Sequence, residues 1–182
     1  ALSRQRQMCI RDSIDDAMLD ETKNNYIACL FKAGESIAAA WTDITTGEFS
    51  VAEFSGVSAL EDTITQIVKL SVAEVICNEE MLLASKDVKE IRHNLLPAFS
   101  CYVPWAFNVK HAEKNLLEQF QTLSLAAYGI AGKENAIAAA GALVEYLRET
   151  QKHSLSNINS VKVVDHEQYM VPVSYTHLRA HE

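Results

Sequence analysis

A metal-dependent nuclease clusters carboxylates around two ions, with one of them on the first strand of its sheet. The carboxylates that could serve here are Asp43, Glu53 and Asp62. The first apolar run, Tyr26 to Phe31, carries none of them. Asp43 sits in Asp43-Ile-Thr-Thr-Gly47, where an aspartate more often caps a turn, and Glu53 and Asp62 have no obvious partner. Gly132-Lys133 could belong to a phosphate loop, which also needs a glycine five residues before Gly132 and a Ser or Thr after the lysine. Ala127 and Glu134 stand there, so no nucleotide role follows. No Ser–His–acid set is recognisable. His93 and His111 fall on predicted helices without ligand spacing, and His153 ends a long helix, where a cation complements the helix dipole. Tyr175, His177 and His181 in the tail are not read as a metal site. Cys29, Cys77 and Cys101 each lie in an apolar, strand-like run and are expected to be free, buried, reduced thiols. There is no C-x-x-C pair to suggest zinc. Trp41 and Trp105 are expected in the core rather than as stacking platforms.

Charge narrows the classes further. The chain has 16 basic and 24 acidic residues, net −8. Setting aside Arg4, Arg6, Arg11, Arg179, Asp12 and Glu182 in the terminal segments leaves 12 basic and 22 acidic residues, net −10. Affinity for a phosphate backbone comes largely from Lys and Arg displacing counterions, so direct gripping of DNA is not expected. No apolar run reaches the roughly 18 residues of a membrane span. The richest, Ala136 to Leu147, is broken by Gly141 and Glu145. No leader pattern is read at the start, and a cytoplasmic setting is expected.

The elements that would position these residues follow from hydrophobic period. Tyr26–Phe31 reads as a strand buried on both faces, Ile37–Thr42 as a second, and Glu48–Val51 as a third, half-buried one. Ser58-Ala-Leu-Glu61 has the form of a capping box. It precedes a helix whose inner face would be Leu60, Ile64, Ile67, Val68 and Ser71. Val75–Cys77 is a short strand. Asn78 could cap a helix with Ala84, Val88, Ile91 and Leu95 facing inward, ended by Pro97. Phe99–Val103 is a fifth strand. Asn108 can cap a helix with Val109, Ala112, Leu116, Leu117 and Phe120 inward and Lys110, Glu113, Lys114 and Asn115 outward. A loop with Gly129 and Gly132 suggests a domain boundary. A long helix from Glu134 to Lys152 follows, its Ala/Gly-rich half suited to close approach of a neighbour, then a short strand at Ser160–Val164. The predicted fold class is α/β: a ribonuclease-H-like mixed sheet with packed helices, followed by a long helix opening a mainly helical domain.

Several phrases resemble the MutS family of DNA mismatch-repair proteins. They are Ala17–Tyr26, Thr42-Asp-Ile-Thr-Thr-Gly-Glu-Phe49, Trp105-Ala-Phe107 with Ala112, Leu116 and Gln119-Phe120, and Ala139–Lys152 with Leu155 and Ile158-Asn159. The specificity lies in their order across Ile14 to Val171, since no phrase carries chemistry. The resemblance implies a connector domain over 14–128 and the start of the lever or core domain over 129–171. Segments 1–13 and 172–182 resemble translated sequencing-adapter DNA and are expected not to belong to the fold. It further implies a fragment with no catalytic centre or cofactor of its own, cut from a homodimeric parent that binds mismatched DNA, ATP and Mg. Within that parent the fragment would link the mismatch-binding and ATPase domains and dock MutL. Lys110, Glu113, Lys114 and Asn115 are the expected MutL-facing residues, because exposed mixed-charge helical positions suit a transient polar interface. In this setting the long helix would be a stump of the next domain with one face left uncovered. The alternative is a ribonuclease-H-like nuclease domain; a small-molecule-binding α/β domain would need a Gly-rich loop that is missing.

Overall fold

The apolar runs become strands of one sheet. The computed structural model describes residues 25–92, 95–151 and 155–165. β1 (Tyr26–Ala33), β2 (Ser36–Asp43) and β3 (Phe49–Ser55) form an antiparallel meander. α1 (Ala59–Leu70) leads to β4 (Glu74–Cys77), which pairs parallel with β1. α2 (Glu79–Arg92) leads to β5 (Phe99–Cys101), parallel with β4. A 3₁₀ turn at Pro104–Phe107 feeds α3 (Val109–Phe120), and α4 (Glu134–Thr150) follows. β6 (Lys162–Val163) then pairs parallel with β3. The order across the sheet is β5-β4-β1-β2-β3-β6. A meander extended by two β-α units is the expected ribonuclease-H-like mixed sheet.

β1 is apolar on both faces because it feeds two cores. Ile27 and Cys29 pack with α3 and α4, while Ala28 and Leu30 pack with α1 and α2. Asn78 does more than cap. Its Oδ1 accepts from the amides of Met81 (3.3 Å) and Lys32 (3.0 Å), and its Nδ2 donates to the Lys32 carbonyl (2.8 Å), joining the end of β1 to the start of α2.

Several expectations are corrected. Ser58 precedes α1 without a side-chain cap bond; it is already in a helical conformation, and its hydroxyl donates to Asp62 Oδ2 at 2.7 Å instead. The buried face of α1 carries Ala59, Thr63, Ile64 and Ile67, whereas Ser71 is exposed at a left-handed C-cap. Among the described side chains of α2, Met81 and Ser85 are buried and Leu82, Ala84 and Val88 half-buried, while the Ile91 side chain lies outside the described set; Leu95 lies beyond the helix and is exposed. Cys29 and Cys77 are buried free thiols, but Cys101 is exposed at the end of the edge strand β5. His93 and His153, and the segments 1–13 and 172–182, lie outside the described residues.

The helix α4 is buried from Ala136 to Val144 and again at Tyr146 and Leu147, and it lies against β1, β2, β3 and α3. A helix apolar all round is one that is covered all round. Its small residues let it fit between α3 and the sheet rather than await a partner. At Gly141 an added Cβ would lie 2.3 Å from the Ala112 Cβ and 2.4 Å from its Cα.

Candidate functional site

The outer face of α3 and its seam with α4 hold the residues singled out for docking. Asn108 caps α3 as expected, its Oδ1 accepting from the His111 amide at 3.2 Å. Ala112, Leu116 and Phe120 are buried beneath it. Lys110, Glu113 and Lys114 are exposed, as the helical period requires. Lys114 Nζ lies 3.9 Å from Glu118 Oε1 one turn on.

Asn115 is not outward. It is 4 % exposed and sits in the α3–α4 seam. Its Nδ2 donates to Glu145 Oε2 at 2.5 Å, and its Oδ1 accepts from Arg148 Nη1 at 3.2 Å. Arg148 Nη2 also reaches the Asn115 carbonyl at 3.3 Å, and Arg148 lies 3.8 Å from Glu118. His111 Nε2 approaches the same Glu145 oxygen at 3.1 Å. The physical reason is spacing. Ala112, Asn115, Leu116 and Gln119 stand at i, i+3, i+4 and i+7, which is one face. Asn115 therefore holds α3 on α4, and of the four residues Lys110, Glu113 and Lys114 are the exposed ones.

Trp105 corrects a second expectation. It is 52 % exposed, and its ring meets that of His111 edge-on at 5.2 Å. Trp41 is in the core as expected.

The carboxylates considered for metal chemistry are committed elsewhere. Asp43 is buried in the β2–β3 turn, where its Oδ1 accepts from the Thr45 amide (2.9 Å) and hydroxyl (2.5 Å). The turn closes through Gly47 at φ +76°, whose added Cβ would lie 2.6 Å from the Asn157 carbonyl oxygen. Glu53 Oε1 accepts from the Ala136 amide at 3.1 Å, at the N-terminus of α4. Glu53 pairs with Ala38 across the sheet. Asp43 is five residues along β2 from there, roughly 16 Å at strand rise, too far for the two to share a metal pair. Among the described residues no group of three or more His, Cys, Asp or Glu is placed to hold a metal ion. Nor is any described helix long and apolar enough to cross a membrane.

The family model described as MutS domain II matches residues 25–159. The chain belongs to the MutS domain II family. Relatives named DNA mismatch repair protein MutS support it. That of Alkaliphilus oremlandii is 32% identical over 87% of this chain and 18% of its own length. That of Pelotomaculum thermopropionicum is 36% identical over 84% of this chain and 18% of its own length. That of Lachnoclostridium phytofermentans is 31% identical over 87% of this chain and 17% of its own length. The chain thus spans less than a fifth of the curated relatives it matches. It is a MutS connector domain, and the matched stretch runs through α4, in accord with the packing of that helix on the sheet.

One feature of this MutS domain II gave no sequence signal. Tyr146 on α4 donates its hydroxyl to Glu74 Oε1 at the start of β4. Burial pushes the Glu74 carboxyl above its ordinary value, and the Tyr146 hydrogen bond offsets this in part. A carboxyl raised in the fold contributes stability that is present below the unfolded value of 4.5 and is lost as pH rises through the folded one. Glu74→Gln, which keeps an acceptor for Tyr146, is expected to gain on the parent chain as pH rises from about 4 to about 7. Urea unfolding at both pH values checks this, and a difference independent of pH would count against it.

Proposed function

We propose that this connector domain transmits conformational change within a mismatch-repair ATPase and docks MutL through the exposed face of α3. The observation that carries the docking reading is the arrangement of α3. Lys110, Glu113 and Lys114 stand exposed on a helix whose other side is fixed to α4 through Asn115, Glu145 and Arg148. A mixed-charge face on a rigid support suits a transient polar interface, where charge sets encounter and register. Mismatched DNA, ATP and Mg would be held by other parts of a homodimeric, cytoplasmic parent. The net charge of −8 is consistent with a domain that leaves the phosphate backbone to others.

The test uses the full-length parent carrying Lys110→Glu with Lys114→Glu. MutL affinity is expected to fall about tenfold, equal to about 1.4 kcal/mol, with thermal unfolding and mismatch affinity unchanged. Lys86→Glu, exposed on α2 across the sheet, serves as the control and is expected to leave MutL binding intact. Unchanged affinity in the double variant would remove α3 as the docking face.

A further inference from the structure

Two cysteines are neighbours across the sheet. Cys77 ends β4 and Cys101 ends β5, and the parallel register sets them opposite each other. The Tyr102 amide donates to the Cys77 carbonyl at 2.8 Å, so the ladder runs up to this pair. Both side chains lie on one side of the sheet, because residues two apart in a strand share a face. Val75 and Cys77 pack in the core beneath α1 and α2, and so does Phe99, two residues before Cys101. Ile76, next to Cys77, and Tyr102, next to Cys101, pack in the other core, against α3 and α4. The two thiols are therefore side by side on the α2 side. They differ in access: Cys77 is fully buried, whereas Cys101 is exposed.

We propose that Cys77 and Cys101 form a dithiol site, which a low-molecular-weight disulfide oxidises to an intrachain disulfide that pins the edge strand β5 to β4. Neighbouring strands lie about 4.8 Å apart, within the roughly 4.4–6.8 Å that separates the Cα atoms of a disulfide. The Cβ atoms must then come to about 3.5–4.5 Å. β5 has three residues and is the outermost strand, so among the described residues no strand on its far side resists that movement. The difference in access sets the order of steps. The exposed Cys101 thiolate attacks one sulfur of the reagent, forming a mixed disulfide and expelling one thiol. The Cys77 thiolate then attacks the Cys101 sulfur; the mixed disulfide breaks and the second thiol leaves. Two electrons pass from the protein to the reagent, and the two cysteine protons end on the two released thiols. An excess of thiol reverses the exchange. Cys29 packs on the opposite side of the sheet, with α3 and α4, and does not compete. The inference does not depend on the docking role of α3.

Glutathione disulfide added to the full chain tests it, read by alkylation and non-reducing peptide mapping. The expected product is a peptide pair joined through Cys77 and Cys101, formed at a rate independent of protein concentration. Cys77→Ala is expected to stop at the glutathione mixed disulfide on Cys101, and Cys101→Ser to leave the buried Cys77 unmodified. Hydrogen exchange at the Tyr102 amide, which bonds the Cys77 carbonyl, is expected to slow by about tenfold on oxidation and to recover with dithiothreitol. A mixed disulfide that persists on Cys101 in the unsubstituted chain overturns the proposal, because an adjacent Cys77 would expel it. So does a link from Cys101 to Cys9, to Cys29 or to a second copy. A Cys77–Cys101 link that leaves Tyr102 exchange unchanged overturns the pinning of β5.

Discussion

Gly141→Ala is expected to destabilise the domain by about 2 kcal/mol, despite replacing a helical glycine by the best helix former. Removing a glycine from a helix interior gains about 1 kcal/mol of propensity. Against this stands the contact with α3. The new Cβ would lie 2.3 Å from the Ala112 Cβ, 2.4 Å from its Cα and 2.7 Å from its carbonyl oxygen. Two of those atoms are backbone, so no rotamer change relieves the clash, and α3 must move off α4. Overpacking of a close-packed core costs about 1–3 kcal/mol, occasionally more, and a shift of a whole helix belongs at the upper end. α3 and α4 jointly cover one face of the sheet, with Leu116 and Leu143 fully buried between them and the strands. The urea midpoint should fall at unchanged slope. Ala112→Gly added to Gly141→Ala should recover part of the loss, because it removes the Cβ contact but leaves the other two. A Gly141→Ala chain as stable as the parent would mean that the helices do not approach this closely.

The strands were legible because their signals are local. Two-sided burial of β1 shows as an uninterrupted apolar run, and the β2–β3 turn shows as Asp43 to Gly47, with the glycine where φ is positive. The ordered MutS-like phrases gave the family for the same reason: they are read residue by residue. Which surface covers which is not a local property. An all-round apolar α4 fits both a buried core helix and a stump awaiting a partner, and period alone does not choose between them. Cys101 lies at the end of the edge strand β5, and no local pattern reveals that β5 ends the sheet. Ser58 and Glu61 satisfy the capping-box pattern, yet the preceding Gly56 turn delivers Ser58 already helical. The partners of Glu53 and Glu74 are 83 and 72 residues away in sequence, beyond any spacing rule.

Asn115 shows how a polar residue misleads when polarity is set against period. Its helical position placed it inward, and its amide suggested the surface; burial won because the seam supplies partners for both ends of that amide. Glu145 accepts from Nδ2 and Arg148 donates to Oδ1. The consequence is that Asn115→Leu is expected to cost about 2 kcal/mol of stability, within the roughly 1–3 kcal/mol of leaving buried charged groups without their partners. Glu145 would keep His111, at 3.1 Å, and Arg148 would keep the Asn115 carbonyl and Glu118, which bounds the loss. Arg148→Met combined with Asn115→Leu should cost less than the sum of the two single changes, since both remove one bond. A reduction in MutL binding by Asn115→Leu would then follow from the loosening of α3 and would track stability across temperature. A reduction by Lys110→Glu with Lys114→Glu would not. If Asn115→Leu weakened MutL binding while its unfolding midpoint stayed at that of the parent chain, Asn115 would have to meet the partner directly, and the seam geometry would not describe the bound state.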